Sequence, residues 1–132
     1  MIRAFGVIAL AALAVAGCSQ EKGPSAPAAP VASVPPPAGK AWNDVVSATP
    51  EGGFRMGNPD APVKLVEYGS RTCHVCADFD KAAHEPLTTR YVATGKVSYE
   101  FRDYLRNGAD VAAALVGGCG GTGPFFTIVN QM

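Results

Sequence analysis

Two cysteines lie two residues apart in the segment VEYGSRTCHVCADF, residues 66–79. Cys73 and Cys76 follow an apolar run and stand at the start of a segment with helical periodicity. Side chains three positions apart on a helix have β-carbons about 5–6 Å apart, which is close enough for a disulfide bond. The closed ring would be so small that it removes little entropy from the unfolded chain. The spacing therefore favours a dithiol that opens and closes over a structural crosslink.

The start of a helix favours ionisation of the first cysteine. Unpaired N–H groups and the partial positive charge there stabilise a thiolate, and such thiols can have pKa values of about 3.5–7.5. We expect Cys73 to be the exposed nucleophile and a good leaving group. Cys76, one turn deeper, would be the more buried thiol that completes the exchange. His74 could tune the thiolate by a hydrogen bond or a positive charge, or it could be an exposed histidine without a role.

A carboxylate precedes the cysteine pair. Glu67 ends the strand that leads to the cysteines, and alternation places it on the same face as Val63 and Leu65. An inward carboxylate at this position could accept the proton of Cys76. A glutamate on the exposed rim of the strand is the alternative, and spacing alone leaves both open.

Metal and haem chemistry compete with redox chemistry at the pair. A structural zinc site needs four ligands, and only His84 and Cys119, far along the chain, could complete one. A c-type haem site needs His directly after the second cysteine, where Ala77 stands, so that site is excluded. A non-catalytic module that binds a metal or a partner remains the alternative. No cofactor is expected for a dithiol that itself carries the electrons.

The elements that position these residues follow from the periodicity of the sequence. We predict a strand over 63–68 and then a helix from Cys73 to about Thr94, with Thr72 as its N-cap, a kink at Pro86 and a stop at Gly95. A second strand over 96–104, a turn at 107–108 and a helix over 109–116 should follow. The expected inward residues are Cys76, Phe79, Ala83 and Leu87 on the long helix and Val97, Tyr99 and Phe101 on the second strand. Strand, helix and strand in this order predict a parallel pair and an α/β fold class.

The first residues have the pattern of an export signal. The apolar run 4–16 is shorter than the about 20 residues that cross a bilayer, so residues 1–17 are predicted to be a signal peptide. The sequence VAGC at 15–18 resembles the lipobox of bacterial lipoproteins. This resemblance implies a lipid anchor on Cys18, with an ordinary cleavage site as the alternative, and Ser19 slightly favours the outer membrane.

A Pro- and Ala-rich region follows the predicted signal. Residues 18–52 are predicted to be a tether and lead-in. The part at 23–40, with three prolines at 35–37, is expected to be semi-rigid in polyproline conformation. The chain of 132 residues is long enough for one domain, which we place at 53–132, with an amphipathic turn around Trp42 docked onto it. The formal net charge of zero lacks the basic field that nucleic-acid binding needs.

Read in order, these residues resemble the DsbA-like thioredoxin-fold proteins. The resemblance rests on GNPDAPV at 57–63, on Glu67 six positions before the first cysteine, on CHVC at 73–76 and on GKVSYEFRD at 95–103. The stretch from 112–114 through Cys119 to 125–126 looks like the start of the helical region inserted in that family. The dipeptide between the cysteines is His-Val, which departs from the Pro-His of DsbA.

The resemblance implies a thioredoxin-like α/β fold, incomplete, with the start of a DsbA-type helical insert. It also implies a periplasmic thiol–disulfide oxidoreductase with Glu67 as its buried acid. The expected partners are cysteine-containing exported proteins or a membrane redox partner. The chain ends within the predicted insert, so an incomplete sheet with exposed edges is expected. Pro124 is expected in a helix and not in the family's cis-proline loop, and Cys119 is expected to be a buried thiol of the insert.

Overall fold

The structure, a computed structural model, describes residues 29–132. The predicted signal peptide at 1–17 and the predicted lipidation site Cys18 lie outside the described residues. The elements are a 3₁₀ turn at Trp42–Asp44, strands β1 (Val46–Ala48), β2 (Phe54–Gly57) and β3 (Val63–Gly69), helix α1 (His74–Leu87), a π-helical segment at Thr88–Val92, strand β4 (Val97–Asp103), and helices α2 (Gly108–Cys119) and α3 (Phe125–Val129). Within 29–132, no helix is both long and apolar enough to cross a membrane.

The four strands form one sheet in the order β1-β2-β4-β3. β3 and β4 run parallel, with Val63 opposite Val97 and Gly69 opposite Asp103, which confirms the predicted pairing and the α/β class. The antiparallel strands β1 and β2 were not predicted, because three- and four-residue strands are too short to show a clear period. The sheet begins at Val46, ahead of the domain start predicted at residue 53.

The hydrophobic core lies on one face of this sheet. Alternation along β4 places Tyr99 and Phe101 on that face, beside Met56 of β2, and all three are buried. Helix α3 closes the core through Phe125, which is 1 % exposed and stacks on Phe54 with 3.8 Å between ring centroids. Aromatic packing is therefore the contact that holds α3 against the sheet.

The opposite face of β4 carries a buried carboxylate. Glu100 is 4 % exposed and accepts hydrogen bonds from Thr49 Oγ1 at 2.8 Å and Arg102 Nε at 2.6 Å. Burial alone would raise the pKa of Glu100, but the hydrogen bonds and the charges of Arg102 and Arg55 lower it. This network ties the turn between β1 and β2 to the centre of the sheet.

Helix α1 begins one residue later than predicted. Cys73 is its N-cap, so the assignment of this role to Thr72 was wrong. The hydroxyl of Thr72 instead accepts a hydrogen bond from Asn107 Nδ2 at 2.9 Å. A contact between distant segments thus outcompeted the local capping preference of threonine.

The second half of the predicted long helix also differs. After Pro86, which has no N–H to donate within the helix, the chain continues as the π-helical segment Thr88–Val92. Gly95 ends it as predicted, with φ of 71° and its N–H donated to the carbonyl of Val92. Phe79 was predicted to face the core but is 45 % exposed, since no described element covers its face of α1.

The proline-rich lead-in contacts the domain. The N–H of Val34 donates to the carbonyl of Thr94 at 2.9 Å, and Trp42 Nε1 donates to the carbonyl of Val34 at 2.7 Å. A β-carbon at Gly95 would lie 2.6 Å from that carbonyl oxygen, so glycine allows the close approach. The predicted tether and lead-in therefore contacts the domain at Val34 and Trp42, and the predicted turn around the buried Trp42 is present.

The predicted turn at 107–108 is the start of α2. Asn107 is its N-cap, and its Oδ1 accepts two backbone N–H groups at 2.9 and 3.0 Å. Cys119 is exposed, so its predicted burial was wrong. Helix α2 packs against α3 near Gly117. Cys119, two positions after Gly117, lies about 200° around the helix and therefore away from this contact. Pro124 is the N-cap of α3, which confirms that it belongs to a helical region.

The stacking of Phe125 makes a stability prediction. Phe125→Ala should lower the free energy of unfolding by about 3–5 kcal/mol, because a large buried side chain is lost and a cavity is left behind. Thr127→Ala, at an exposed position of the same helix, is the control and should change it by less than about 0.5 kcal/mol. Urea unfolding followed by circular dichroism measures both. Equal losses in the two variants would contradict the assignment of α3 to the core.

Candidate functional site

The loop between β3 and α1 carries the chain from the sheet to the cysteines. Gly69, at the end of β3, has no room for a side chain, because a β-carbon would lie 2.5 Å from the Phe101 ring and 3.1 Å from Glu67 Oε1. The N–H of Cys73 donates to the carbonyl of Ser70 at 3.2 Å. A tight loop therefore places Cys73 at the first turn of α1, above the carboxyl ends of the parallel strands.

A buried carboxylate that the sequence did not reveal holds this loop. Asp110, in the first turn of α2, is fully buried and accepts hydrogen bonds from Ser70 Oγ at 2.9 Å, from the N–H of Thr72 at 3.0 Å and from the N–H of Arg106 at 2.9 Å. Burial alone would raise the pKa of Asp110, but these hydrogen bonds lower it to about 2. The carboxylate thus fastens the loop before Cys73 to the start of α2.

An arginine completes the support of the loop. The side chain of Arg71 is 7 % exposed, and its Nε donates to Asp103 Oδ1 at 3.1 Å. Its guanidinium lies 4.0 Å from the centroid of the Phe101 ring, which is within cation–π range. Arg71 also lines the cavity beside the cysteines, so it joins the core, the sheet end and the site. An isolated Arg in the sequence gave no signal of this role.

Three of the four predicted site residues line one cavity. Cys73, Cys76 and Glu67 share a cavity of about 180 Å³, closed on the far side by the end of α3 and by Met132. Glu67 therefore faces inward, as one of its two alternatives proposed. His74 is exposed and does not line this cavity, so the structure does not bring it to the other three, and its tuning role stays a prediction.

The two thiols differ in acidity. The pKa of Cys73 is lowered, first by a hydrogen bond from the Cys76 thiol, then by the N–H groups of Cys76 and Val75 and by the charge of Arg106, against the effect of burial. For Cys76 the N–H of Ser70 favours the thiolate, but the hydrogen bond to Cys73, burial and the negative charges nearby together raise its pKa. Both thiols are unbridged and partly exposed. The first thiol is therefore the more acidic of the two.

Glu67 has one strong partner, which sequence reasoning missed. The hydroxyl of Tyr99, across the parallel pair on β4, donates to Glu67 Oε2 at 2.6 Å. Burial, followed by this hydrogen bond and the charge of Glu67, raises the pKa of Tyr99. The alternation of β4 predicted that Tyr99 faces inward, but not that it meets Glu67, because the register of two strands is a tertiary property.

The remaining candidate ligands lie apart from the cysteine pair. His84 Nδ1 lies 3.4 Å from Asp80 Oδ1, and its Nε2 lies 2.9 Å from Asn130 Nδ2. Cys119 does not line the cavity. In the part of the chain that the structure describes, no three His, Cys, Asp or Glu side chains are grouped as a metal ion would require.

Comparison with known proteins assigns this architecture to a family. A family model described as thioredoxin matches residues 49–132, which is more than half of the chain. The chain belongs to this thioredoxin family. The match includes the cysteine pair, both parallel strands and helices α1 to α3.

Relatives and solved structures support the same assignment. A Rickettsia conorii protein provisionally named a protein-disulfide oxidoreductase is 33% identical over 77 residues, 58% of this chain and 28% of the relative. The chain thus spans about a quarter of the length of the curated relatives it matches. The protein-disulfide isomerase of Novosphingobium aromaticivorans has a TM-score of 0.59 at 33% identity, covering 60% of this chain and 40% of that one. For alpha-DsbA1 of Wolbachia pipientis the TM-score is 0.55 at 28% identity, covering 58% and 39%.

These comparisons confirm the predicted resemblance to DsbA-like proteins and the thioredoxin-like fold. The four described strands have β3 at one edge of the sheet and β1 at the other. Within the thioredoxin family, the cysteine pair at the start of α1 is therefore the candidate active site.

The lowered pKa of Cys73 leads to a prediction for the pH dependence of its reactivity. Iodoacetamide should alkylate Cys73 faster than the exposed Cys119 at mildly acidic pH, because the thiolate of Cys73 is stabilised. Cys76→Ala removes the largest contribution and should move the pH midpoint of Cys73 alkylation upward. Mass spectrometry of the alkylated peptides distinguishes the sites. An unchanged midpoint in Cys76→Ala would show that the second thiol does not stabilise the first.

The lowered pKa of Asp110 leads to a prediction for how the stability of the fold depends on pH. Its pKa is about 2 in the folded chain and about 3.9 in an unfolded one. The ionised group therefore stabilises the fold above about pH 4, and this contribution is lost as the pH falls towards 2. Asp110→Asn should be less stable than the parent chain at neutral pH, with the difference shrinking as the solution is acidified. Denaturant unfolding at several pH values measures it.

The control for this experiment is Asp60→Asn, at an exposed carboxylate of a turn. It should change stability little at any pH. A difference for Asp110→Asn that stays constant between neutral pH and pH 2 would show that packing, and not the charge, accounts for the loss.

Proposed function

We propose that this chain exchanges disulfides through the Cys73–Cys76 dithiol, as the active part of a thiol–disulfide oxidoreductase. The observation that carries the proposal is that Cys73, Cys76 and Glu67 line one cavity at the start of α1, where the pKa of the first thiol is lowered and that of the second is raised. A nucleophile must be ionised, whereas a resolving thiol must stay protonated until it is needed. The names of the relatives and of the similar structures support the same chemistry.

Reduction of a substrate disulfide takes two thiol attacks. The Cys73 thiolate attacks one sulfur of a substrate disulfide, the substrate S–S bond breaks, and a mixed disulfide and one substrate thiolate form. Cys76 then gives its proton to Glu67, and its thiolate attacks Cys73 Sγ. The mixed disulfide breaks, the second substrate thiolate leaves, and the Cys73–Cys76 disulfide carries the two-electron oxidation.

The same steps in reverse transfer a disulfide to a substrate dithiol. The direction depends on the reduction potential of the pair, measured by equilibration with glutathione. A potential below about −250 mV would indicate a reductant, and one above about −150 mV an oxidant. The lowered pKa of Cys73 supports the oxidant, because it stabilises the reduced form.

The substrates we propose are cysteine-containing exported proteins or a membrane redox partner in the bacterial cell envelope. This part rests on the sequence pattern of an export signal at 1–17 and of a lipobox ending in Cys18. A lipid anchor on Cys18 would hold the protein at the periplasmic side of a membrane, with the outer membrane slightly favoured. Incorporation of labelled palmitate, lost in Cys18→Ser, tests the anchor.

The activity is tested with a disulfide-containing peptide and the purified full chain. Cys73→Ser should lose at least about a hundredfold in exchange rate, because it lacks the attacking sulfur. Cys76→Ser should instead accumulate a mixed disulfide with the peptide, visible by mass spectrometry under non-reducing conditions. Cys119→Ser, which removes a thiol outside the cavity, is the control and should exchange at the parental rate.

Two results would overturn the proposal. Exchange that survives in Cys73→Ser would place the chemistry elsewhere. About one equivalent of zinc, bound through Cys73 and Cys76 in the purified protein, would favour the alternative of a non-catalytic binding module.

A further inference from the structure

We propose that Tyr99 is a positioning residue for proton transfer at Cys76, because it holds one oxygen of Glu67 and leaves the other for the thiol. This inference rests on the proposed function and deepens it. Neither the relatives' names nor the cysteine motif assigns a role to this tyrosine, which lies on a different strand from Glu67 and 23 positions after Cys76 in the sequence.

The hydroxyl of Tyr99 is fixed in place. The residue is 3 % exposed, its ring packs against Phe126 at 5.5 Å and the edge of His84 at 6.1 Å between centroids, and its Oη lies 2.6 Å from Glu67 Oε2. That distance is within the range of a charge-assisted O–H···O⁻ bond. Since β3 and β4 pair in parallel with Glu67 opposite Phe101, Tyr99 reaches the carboxylate diagonally across the ladder.

The two oxygens of Glu67 therefore differ. Oε2 accepts from Tyr99, whereas Oε1 makes no hydrogen bond to any described residue and lies beside the space left by Gly69, where a β-carbon would be 3.1 Å away. Glu67 lines the same cavity as Cys76. Oε1 is thus the oxygen left to accept the proton of the Cys76 thiol, and the bond at Oε2 keeps the carboxylate from rotating away.

Tyr99 acts as a donor and not as a proton carrier. Burial and the negative charge of Glu67 raise the pKa of Tyr99, so its hydroxyl keeps its proton throughout the exchange. The titratable and charged groups that face Glu67 and Tyr99 are the two thiols of Cys73 and Cys76, the side chains of Asp80, Lys81 and His84 from α1, and Arg71 from the loop before it. Helix α3 contributes no titratable group to the pair.

Loss of the Tyr99 hydroxyl should affect the two thiol attacks differently. Attack by Cys73 uses the thiol whose pKa is lowered and does not need Glu67. Attack by Cys76 requires that its S–H bond break with the proton moving to Oε1, while a bond forms to Cys73 Sγ and the mixed disulfide breaks. Loss of the Tyr99 hydroxyl should therefore slow only the second attack.

Stopped-flow reaction with 5,5′-dithiobis(2-nitrobenzoate) resolves the two attacks. Each attack releases one coloured thiolate, and the reagent supplies the oxidising disulfide. The measurement uses the full chain with Cys18 and Cys119 replaced by serine, so that only the pair reacts. Because any reduced dithiol reacts with this reagent, the result does not depend on activity towards peptides, and failure of the proposed function would be seen separately in the peptide assay.

In Tyr99→Phe, which keeps the buried ring, the first phase should stay within about twofold of the parent, and the second phase at pH 7 should slow about tenfold. The pH profile of the second phase should flatten as it does in Glu67→Gln. The double variant should be no slower than Glu67→Gln alone, because both changes remove one function. Tyr68→Phe is the matched control: its hydroxyl accepts from Arg102 on the other face of the sheet, and both phases should be unchanged.

Two outcomes would overturn the inference. One is a second phase in Tyr99→Phe with the parental rate and pH profile. The other is a double variant whose slowing equals the product of the two single losses, which would mean that Tyr99 acts independently of Glu67.

Discussion

The interaction between the two thiols at the start of α1 is the one on which the site depends. It lowers the pKa of Cys73 and helps to raise that of Cys76, so it makes the first thiol the more acidic of the two. It needs both cysteines on one face of the first helical turn, and that turn must begin where β3 ends. The tight loop over Gly69 and its attachment to Asp110 meet this requirement. Most of the polar network around the loop serves to hold one helix start in place.

The core and the site share one face of the sheet, so residues of the core also contact residues of the site. Tyr99 belongs to the hydrophobic core and also binds Glu67, and Phe101 supports Arg71 at the edge of the cavity. Helix α3, stacked on β2 through Phe125, brings its last turn to the cavity wall. A carboxylate that faces such a core is held more rigidly than one on a rim, and rigidity is what proton transfer over a short distance needs.

The family match and the geometry of the site point to the same part of the chain. The thioredoxin family match covers 49–132, and within it the parallel pair β3–β4 and helix α1 form the unit that presents the cysteines. Strand β3, which carries Glu67, lies at the edge of the described sheet, and α1 buries none of its residues fully. The structural relatives extend well beyond the part they share with this chain. The family match at 49–132 includes the pair, the carboxylate and the tyrosine.

The sequence by itself determined the features that depend on local order: the spacing of Cys73 and Cys76, the two strands with their alternating faces and the glycine stop at Gly95. These follow from side-chain periodicity and from backbone conformations that neighbouring residues dictate. Only the tertiary structure decided the partners, because register, helix packing and loop attachment bring together residues far apart in the chain. It joined Tyr99 to Glu67 and Asp110 to the loop before the cysteines, and it left Phe79, Cys119 and His74 at the surface. Burial of a helix face requires an opposing element, and no periodicity within one segment reveals whether that element is present.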